Sequence, residues 1–148
     1  MNIRNTRGSD YAKIISVIND WWGGRKMADM LPHLFFEHFQ NTSFVFEEND
    51  QLIAFLVGFV SQTRPTEAYI HFVGVHPEYR KSGLARKLYE MFFARVHSMG
   101  CDTVHCVTSP VNQGSVAFHA RMGFSASLAL DYGGPGQDRV LFAKTLND

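Results

Sequence analysis

The chain has 148 residues, of which 45% are hydrophobic, so it is long enough to enclose the core of one domain. Its 14 Lys and Arg residues balance its 14 Asp and Glu residues, so no overall field attracts nucleic acid or an anionic membrane. Residues 1–5 are polar and lack the apolar run of a signal peptide, and no apolar stretch reaches the length of a membrane span. We therefore expect a single domain over residues 1–148, located in the cytoplasm, with neither nucleic acid nor membrane as a partner.

The first part of the chain predicts one strand, two helices and a β-hairpin. A short strand over residues 2–6 precedes a helix that Ser9 and Asp10 cap and that the Gly23-Gly24 pair ends. A second helix is predicted over residues 29–39, with Pro32 tolerated only in its first turn. The hairpin follows, with strands over residues 43–47 and 51–61 and a short polar turn between them.

The second part alternates strands and helices and closes with another hairpin. Strands are predicted over residues 68–75 and 103–108, helices over 83–98 and 113–122, and the hairpin strands over 127–132 and 139–144. The resulting order, βααβββαβαββ, predicts a mixed α/β sheet with helices on both of its faces.

The turn between the strand at 68–75 and the helix at 83–98 has the features of an anion site. The first amides of a helix have no partner inside the helix, and Gly83 lets a ligand approach the backbone closely. Ala85 keeps the first turn clear, while Arg80 and Lys81 add positive charge. An ordinary helix start capped by Ser82 would share some of these features, but the whole combination favours a ligand that carries phosphate.

Two motifs resemble those of the GNAT superfamily of acyl-CoA-dependent N-acetyltransferases. The first resembles the family's motif A, Arg/Gln-x-x-Gly-x-Gly/Ala, and reads Arg80-Lys81-Ser82-Gly83-Leu84-Ala85. The second resembles motif B, Asn-x-x-Ala-x-x-Phe-Tyr-x-x-x-Gly-Phe, and extends from Asn112 to Phe124. The resemblance implies the GNAT fold, a mixed and mostly antiparallel sheet flanked by helices, and an N-acetyltransferase that moves an acetyl group from acetyl-CoA to a primary amine, with a small molecule favoured.

The resemblance also implies where acyl-CoA binds. Its pantetheine arm would run along the end of the strand, at Val73, Gly74 and Val75, beside the strand at 103–108. Its pyrophosphate would be held by the amides of the first motif. From motif B, Asn112 and Phe118 are the expected contacts, although Asn112 could equally serve as a helix N-cap.

The candidate bases lie on the strand that precedes Val73. Many family members have a glutamate where this chain has Tyr69, so His71, on the same face, is the first candidate and Glu67 is the alternative. A strand histidine with a purely structural hydrogen bond is the competing interpretation of His71. The family's usual general acid is a tyrosine at the position of His119. This histidine could donate to the leaving sulfur or could equally be a structural substitute, with the thiolate leaving unaided, and Tyr132 is a second candidate proton donor.

The acceptor side gives weaker signals. Trp22, Arg25 and Phe35 could hold an aromatic or carboxylate-bearing amine, but the tryptophan could equally serve packing. The aromatic content would also suit a homodimer interface.

Two alternatives to a small-molecule acetyltransferase stay open. The departures at Tyr69 and His119 permit a non-catalytic acyl-CoA sensor, and an open acceptor groove would favour protein N-termini or lysines. No metal is expected, because the histidines and cysteines match neither a structural zinc spacing nor a His-Glu-x-x-His pattern.

Overall fold

The computed structural model describes residues 1–147, which form seven strands and five α-helices. The strands are β1 Asn2–Asn5, β2 Phe44–Glu48, β3 Gln51–Val60, β4 Glu67–Val75, β5 Thr103–Thr108, β6 Ser125–Ala129 and β7 Arg139–Thr145. The helices are α1 Asp10–Ile15, α2 Ile18–Trp21, α3 Leu34–His38, α4 Leu84–Ser98 and α5 Gln113–Arg121. Short 3-10 turns cover Ala28–Met30, Gln40–Thr42 and Pro77–Tyr79.

The strands form one mixed sheet in the order β1-β2-β3-β4-β5-β7-β6. β2 pairs antiparallel with β1 and β3, and β7 pairs antiparallel with β5 and β6. β4 and β5 pair in parallel, from Glu67–Thr103 to Tyr69–His105. The mostly antiparallel sheet flanked by helices confirms the predicted fold class.

Two compact units make up the chain: residues 1–59 with 70–96, and residues 60–69 with 97–148. That residues 1–148 act as one domain stays a prediction.

The first unit has a core in which helical apolar faces meet the sheet. Ile14 and Ile18 of the first two helices, Phe36 of α3, and Phe55 and Phe72 of the strands pack in one cluster and are almost fully buried. Helices as short as α1 and α2 are marginal alone in water, so this packing is what stabilises them.

The second unit has a smaller aromatic core. The ring of His119 on α5 stacks on Phe142 of β7, with centroids 4.3 Å apart and an interplanar angle of 13°, and meets Phe124 edge-on. Val104 and Cys106 of β5 are buried as well. Every helix in the described residues is too short or too polar to cross a membrane.

Two predicted helices are shorter or more broken in the structure. The first ends at Ile15 and resumes as α2 at Ile18, and the second divides into a 3-10 turn and α3. The second break has a clear cause, because Pro32 disfavours helical backbone at the preceding residue, and Leu31 has φ −128° and ψ 77°.

The last hairpin is also shifted relative to its predicted bounds. β6 covers Ser125–Ala129 rather than residues 127–132. The side chain of Asp131 accepts a hydrogen bond from the amide of Gly136, and Asp138 accepts one from the amide of Asp131. These side-chain bonds shape residues 130–138 as a turn that competes with a longer strand.

Candidate cofactor and acceptor sites

The end of β4 leads into a tight turn that is fixed by its own hydrogen bonds. The amide of His76 donates to the carbonyl of Ile53 over 2.8 Å, which anchors the end of the strand. The His76 side chain accepts from the amide of Glu78 over 3.1 Å and caps the 3-10 turn that Pro77 begins. These hydrogen bonds therefore fix the backbone conformation where the strand passes into the turn.

Two residues with positive φ then turn the chain into the start of α4. Lys81 has φ 66° and Gly83 has φ 83°, and a Cβ built on Gly83 would meet nothing within 4 Å. The amide of Lys87 donates to the carbonyl of Gly83, so the amides before it belong to the first turn and point beyond the helix. This open helix start has the geometry expected of an anion site.

Arg80 has a positioning role in this turn. Its guanidinium donates to the carbonyl of Trp21 and, over 3.4 Å, to that of Val75. The side chain therefore ties the turn to the end of α2 and to the end of the strand. The Ser82 hydroxyl donates to the carbonyl of Tyr79. Leu84 and Leu88 are buried and fix the helix on the core.

Asn112 is the N-cap of α5, as one of its two predicted roles requires. Its side-chain oxygen accepts from the amide of Ser115 over 3.1 Å. Phe118, on the same helix, is half-buried and meets the ring of His119 edge-on at 5.4 Å. A contact of either residue with CoA stays a prediction.

His71 is held in a fixed orientation by two neighbours. Its Nε2 lies 2.6 Å from the carbonyl oxygen of Met30, and its ring stacks on Phe35 with centroids 4.4 Å apart and planes 4° from parallel. A carbonyl only accepts, so Nε2 carries the proton and Nδ1 is the acceptor nitrogen of the neutral ring. Phe35, itself packed against Phe39 and Phe59, thus lies directly beside a candidate base.

Glu67 lies in contact with a residue that the sequence did not single out. Its Oε1 is 2.5 Å from Nε2 of His105, which stands opposite Tyr69 in the parallel register. Burial raises the pKa of Tyr69 to about 12, with smaller contributions from Tyr132 and Cys106. The alternation of β5 could have placed His105 on the face opposite to Cys106, but only the strand pairing brings it to Glu67.

His119 is buried, at 6% exposure, and its Nδ1 lies 2.7 Å from the carbonyl oxygen of Ser115. Burial lowers the pKa of this histidine, and the bond to Ser115 offsets only part of that shift. The ring is therefore neutral at pH 7, and its Nδ1 proton is donated within the helix. Tyr132, the other candidate donor, is exposed in the turn after β6.

Trp22, one of the predicted acceptor residues, packs against β4. Its ring packs on Phe72 with centroids 5.0 Å apart, and it is half-buried at the edge of the core. Arg25 is exposed in the segment after α2. Among residues 1–147, no group of three potential ligands is placed to hold a metal ion.

The sequence profile of the Acetyltransferase (GNAT) family matches residues 11–124, so the chain belongs to this family. Acetyltransferase is the enzyme class that this membership defines, and acetyl-CoA is the cosubstrate of that class. The resemblance carried by the two motifs is thereby confirmed.

One curated relative and two solved structures are similar to this chain. L-2,4-diaminobutyric acid acetyltransferase of Halalkalibacterium halodurans is 27% identical over 86 residues, which cover 58% of this chain and 46% of that protein. The chain thus spans about half the length of this curated relative. A GNAT-family protein of Desulfovibrio desulfuricans has the same fold, with a TM-score of 0.83, 19% identity and coverage of 97% of this chain and 98% of the other. YncA of Salmonella typhimurium, solved with acetyl-CoA, has a TM-score of 0.76, 20% identity and coverage of 100% and 95%.

Proposed function

We propose that this chain transfers the acetyl group of acetyl-CoA to the primary amine of a small molecule by direct attack of the amine on the thioester. The observation that carries the proposal is the turn between β4 and α4, with Lys81 and Gly83 at positive φ and open space over Gly83. Together with membership of the GNAT family, this turn supports acetyl-CoA as the ligand.

In this proposal the amides of residues 81–85 hold the pyrophosphate. A helix start favours negative charge through its unpaired amides and its dipole, so binding of the pyrophosphate needs no particular side chain. Arg80 acts by holding the turn against Trp21 and Val75. Val73, Gly74 and Val75 would bind the pantetheine arm, and Asn112 and Phe118 are proposed as further contacts.

Acetyl-CoA supplies the thioester, whose C–S bond breaks as the new C–N bond forms. The acceptor ammonium must first lose a proton, and the leaving sulfur must be stabilised. His71 can accept a proton at Nδ1, because its Nε2 is committed to Met30. Glu67 is the alternative base, while His119 and Tyr132 are the proposed partners of the sulfur.

On the acceptor side we propose Trp22, Arg25 and Phe35. Phe35 lies flat against His71, so the two rings form one aromatic surface that could contact the acceptor. Arg25 is exposed and could pair with a carboxylate of the acceptor. The partial match to a diaminobutyric acid acetyltransferase supports an amino-acid-like amine as the first acceptor to test.

Calorimetry with acetyl-CoA, followed by thiol release across diamino acids, polyamines, simple amines and short peptides, tests the proposal. Saturable binding with turnover on small amines is the expected result. Binding without turnover on any acceptor would favour the sensor, and turnover on peptides alone would favour a protein acetyltransferase. No binding of acetyl-CoA would overturn the proposal altogether.

A further inference from the structure

Glu67 and His105 form a close acid–base pair across the parallel ladder of β4 and β5. The two side chains touch at 2.5 Å, and 26% of the glutamate and 38% of the histidine side chain are exposed. Both groups are therefore held by the sheet and remain accessible to a small molecule.

Within the part of the chain that the structure describes, few other charged groups surround the pair formed by Glu67 and His105. Arg64 lies 3.9 Å from the other carboxylate oxygen of Glu67 and is itself largely exposed. On β4, Tyr69 stands opposite His105, and on β7 the residue opposite is Ala143, which has no charge. Tyr69 keeps its proton at neutral pH, because burial raises its pKa to about 12, with smaller contributions from Tyr132 and Cys106.

The contact fixes which nitrogen of His105 accepts a proton. A carboxylate only accepts hydrogen bonds, so Nε2 of His105 carries the proton in the contact, and Nδ1 is the acceptor nitrogen of the neutral ring. When Nδ1 takes up a proton, the adjacent carboxylate stabilises the imidazolium through a charge-assisted hydrogen bond.

We propose that His105 is the catalytic base for the acceptor amine and that Glu67 is its positioning residue. This inference rests on the proposed acetyl transfer. Nδ1 of His105 takes one proton from the acceptor ammonium, directly or through one water, and the free amine attacks the thioester carbon. The C–N bond forms and the C–S bond breaks. The nitrogen gives its second proton to the leaving thiolate, which becomes the CoA thiol, and His105 releases the first proton to solvent.

His71 offers a less favourable environment for the same proton. Its fixed nitrogen faces the neutral carbonyl of Met30, and its ring face is covered by Phe35. Neither partner provides the full negative charge that Glu67 brings to His105. We assign His71 to holding the 3-10 turn at Ala28–Met30 against β4.

The decisive measurement is kcat/KM for the amine from pH 5.5 to 9.5 in the unsubstituted protein and in four variants: His105→Gln, Glu67→Gln, His71→Gln and Glu37→Gln. His105→Gln should lower kcat at pH 7 by about 10²- to 10⁴-fold, the range of general base catalysis, with the KM for acetyl-CoA unchanged. Glu67→Gln should lower kcat about tenfold and leave the KM for acetyl-CoA unchanged, because the imidazolium formed in the step loses its charge-assisted partner.

Glu37→Gln is the matched control, because Glu37 forms an exposed pair with His33 at 3.1 Å on α3. It should leave the rate and the profile unchanged. A parallel unfolding midpoint and an acetyl-CoA binding curve for each variant separate a catalytic loss from misfolding.

Three results would overturn the dyad. The first is a wild-type rate and profile in His105→Gln or Glu67→Gln. The second is a loss that follows the unfolding midpoint alone, and the third is the expected loss of kcat in His71→Gln instead. If the unsubstituted protein turns over no amine, the proposed function itself fails before any variant is made, and the dyad fails with it.

Discussion

Gly83 is the residue at which the backbone geometry and the proposed cofactor contact coincide. Alanine there must adopt φ 83°, which costs about 1–2 kcal/mol, and its methyl group enters the space above the helix start. If the methyl group removes one charge-assisted bond to phosphate, Gly83→Ala should raise the KM for acetyl-CoA about ten- to a hundredfold. Steady-state kinetics against acetyl-CoA measures this.

The matched control is Gly100→Ala, at the other end of α4. Gly100 has φ 96° and equally open surroundings, so the backbone strain is comparable. Both variants should lower the unfolding midpoint by similar amounts, but only Gly83→Ala should raise the KM for acetyl-CoA. Equal KM values in the two variants would contradict a phosphate site at this turn.

Asp10 predicts acid sensitivity of the folded state. Its side chain is fully buried, and Arg4 binds both carboxylate oxygens at 2.9 Å. Burial alone would raise the pKa of Asp10, but the bonds from Arg4 and from the Arg7 amide outweigh it, so the pKa lies below its usual value. The resulting stability is present above about pH 4, the unfolded value, and is lost as the pH falls through the folded one.

Asp10→Asn should therefore remove that acid-dependent part of the stability and destabilise the protein at pH 7 by about 3 kcal/mol. Urea unfolding at pH 7 and at pH 3.5 measures both effects. Asp20→Asn, at an exposed residue of α2, is the comparison and should change little. An unchanged midpoint at pH 7 in Asp10→Asn would show that the pair with Arg4 contributes no net stability.

At the scale of elements, α5 carries a buried histidine against β6 and β7. The pKa of His119 is lowered by burial, so protonation favours the unfolded chain. Stability from this residue is complete above about pH 6.5 and declines below it by at most ~1.4 kcal/mol per pH unit, until the folded pKa is reached.

His119→Phe should remove this decline, since phenylalanine fits a position between Phe118, Phe124 and Phe142 and does not titrate. The difference in unfolding free energy between pH 5.5 and 7.5 should shrink in the variant. An identical pH dependence in the two proteins would mean that His119 does not lose proton affinity in the fold. If His119 also stabilises the leaving sulfur, kcat falls in the variant while the fold is retained.

Some helices of this chain are defined by their local sequence, and others depend on packing against the core. The long helix α4 was predicted over residues 83–98 and begins at Leu84, because its apolar stripe, Gly83 and Gly100 define it without help from distant residues. The region from 29 to 39 was predicted as one helix, and Pro32 explains the break. Propensity alone could not give the short α1 and α2, which depend on the core beneath them.

For the molecule as a whole, the two cysteines report on unfolding of the second unit, which contains both of them. Cys101 and Cys106 are reduced and buried, at 2% and 4% exposure, and burial raises the pKa of both thiols, that of Cys106 to about 12. The folded protein should react slowly with a disulfide reagent at pH 8, and two thiols should react at once in denaturant. Fast labelling of the folded protein would contradict this burial.

The fold family and the turn between β4 and α4 can be predicted from the sequence alone. Those features are local: a strand, a glycine that must adopt positive φ, and an apolar helix lie within about twenty consecutive residues, and the second motif is equally compact. Asn112 as an N-cap followed from the same kind of short-range pattern. Residues joined by a few peptide bonds have little freedom, so their types define their geometry.

The contacts that hold the candidate bases depend on long-range packing. His71 is fixed by Met30 and Phe35, and Glu67 meets His105, 38 residues along the chain, because β4 and β5 pair in one parallel register. A shift of one residue in that register would turn the side chains to the other face. The pairing depends on the whole sheet and its core, and no short stretch of sequence contains that information.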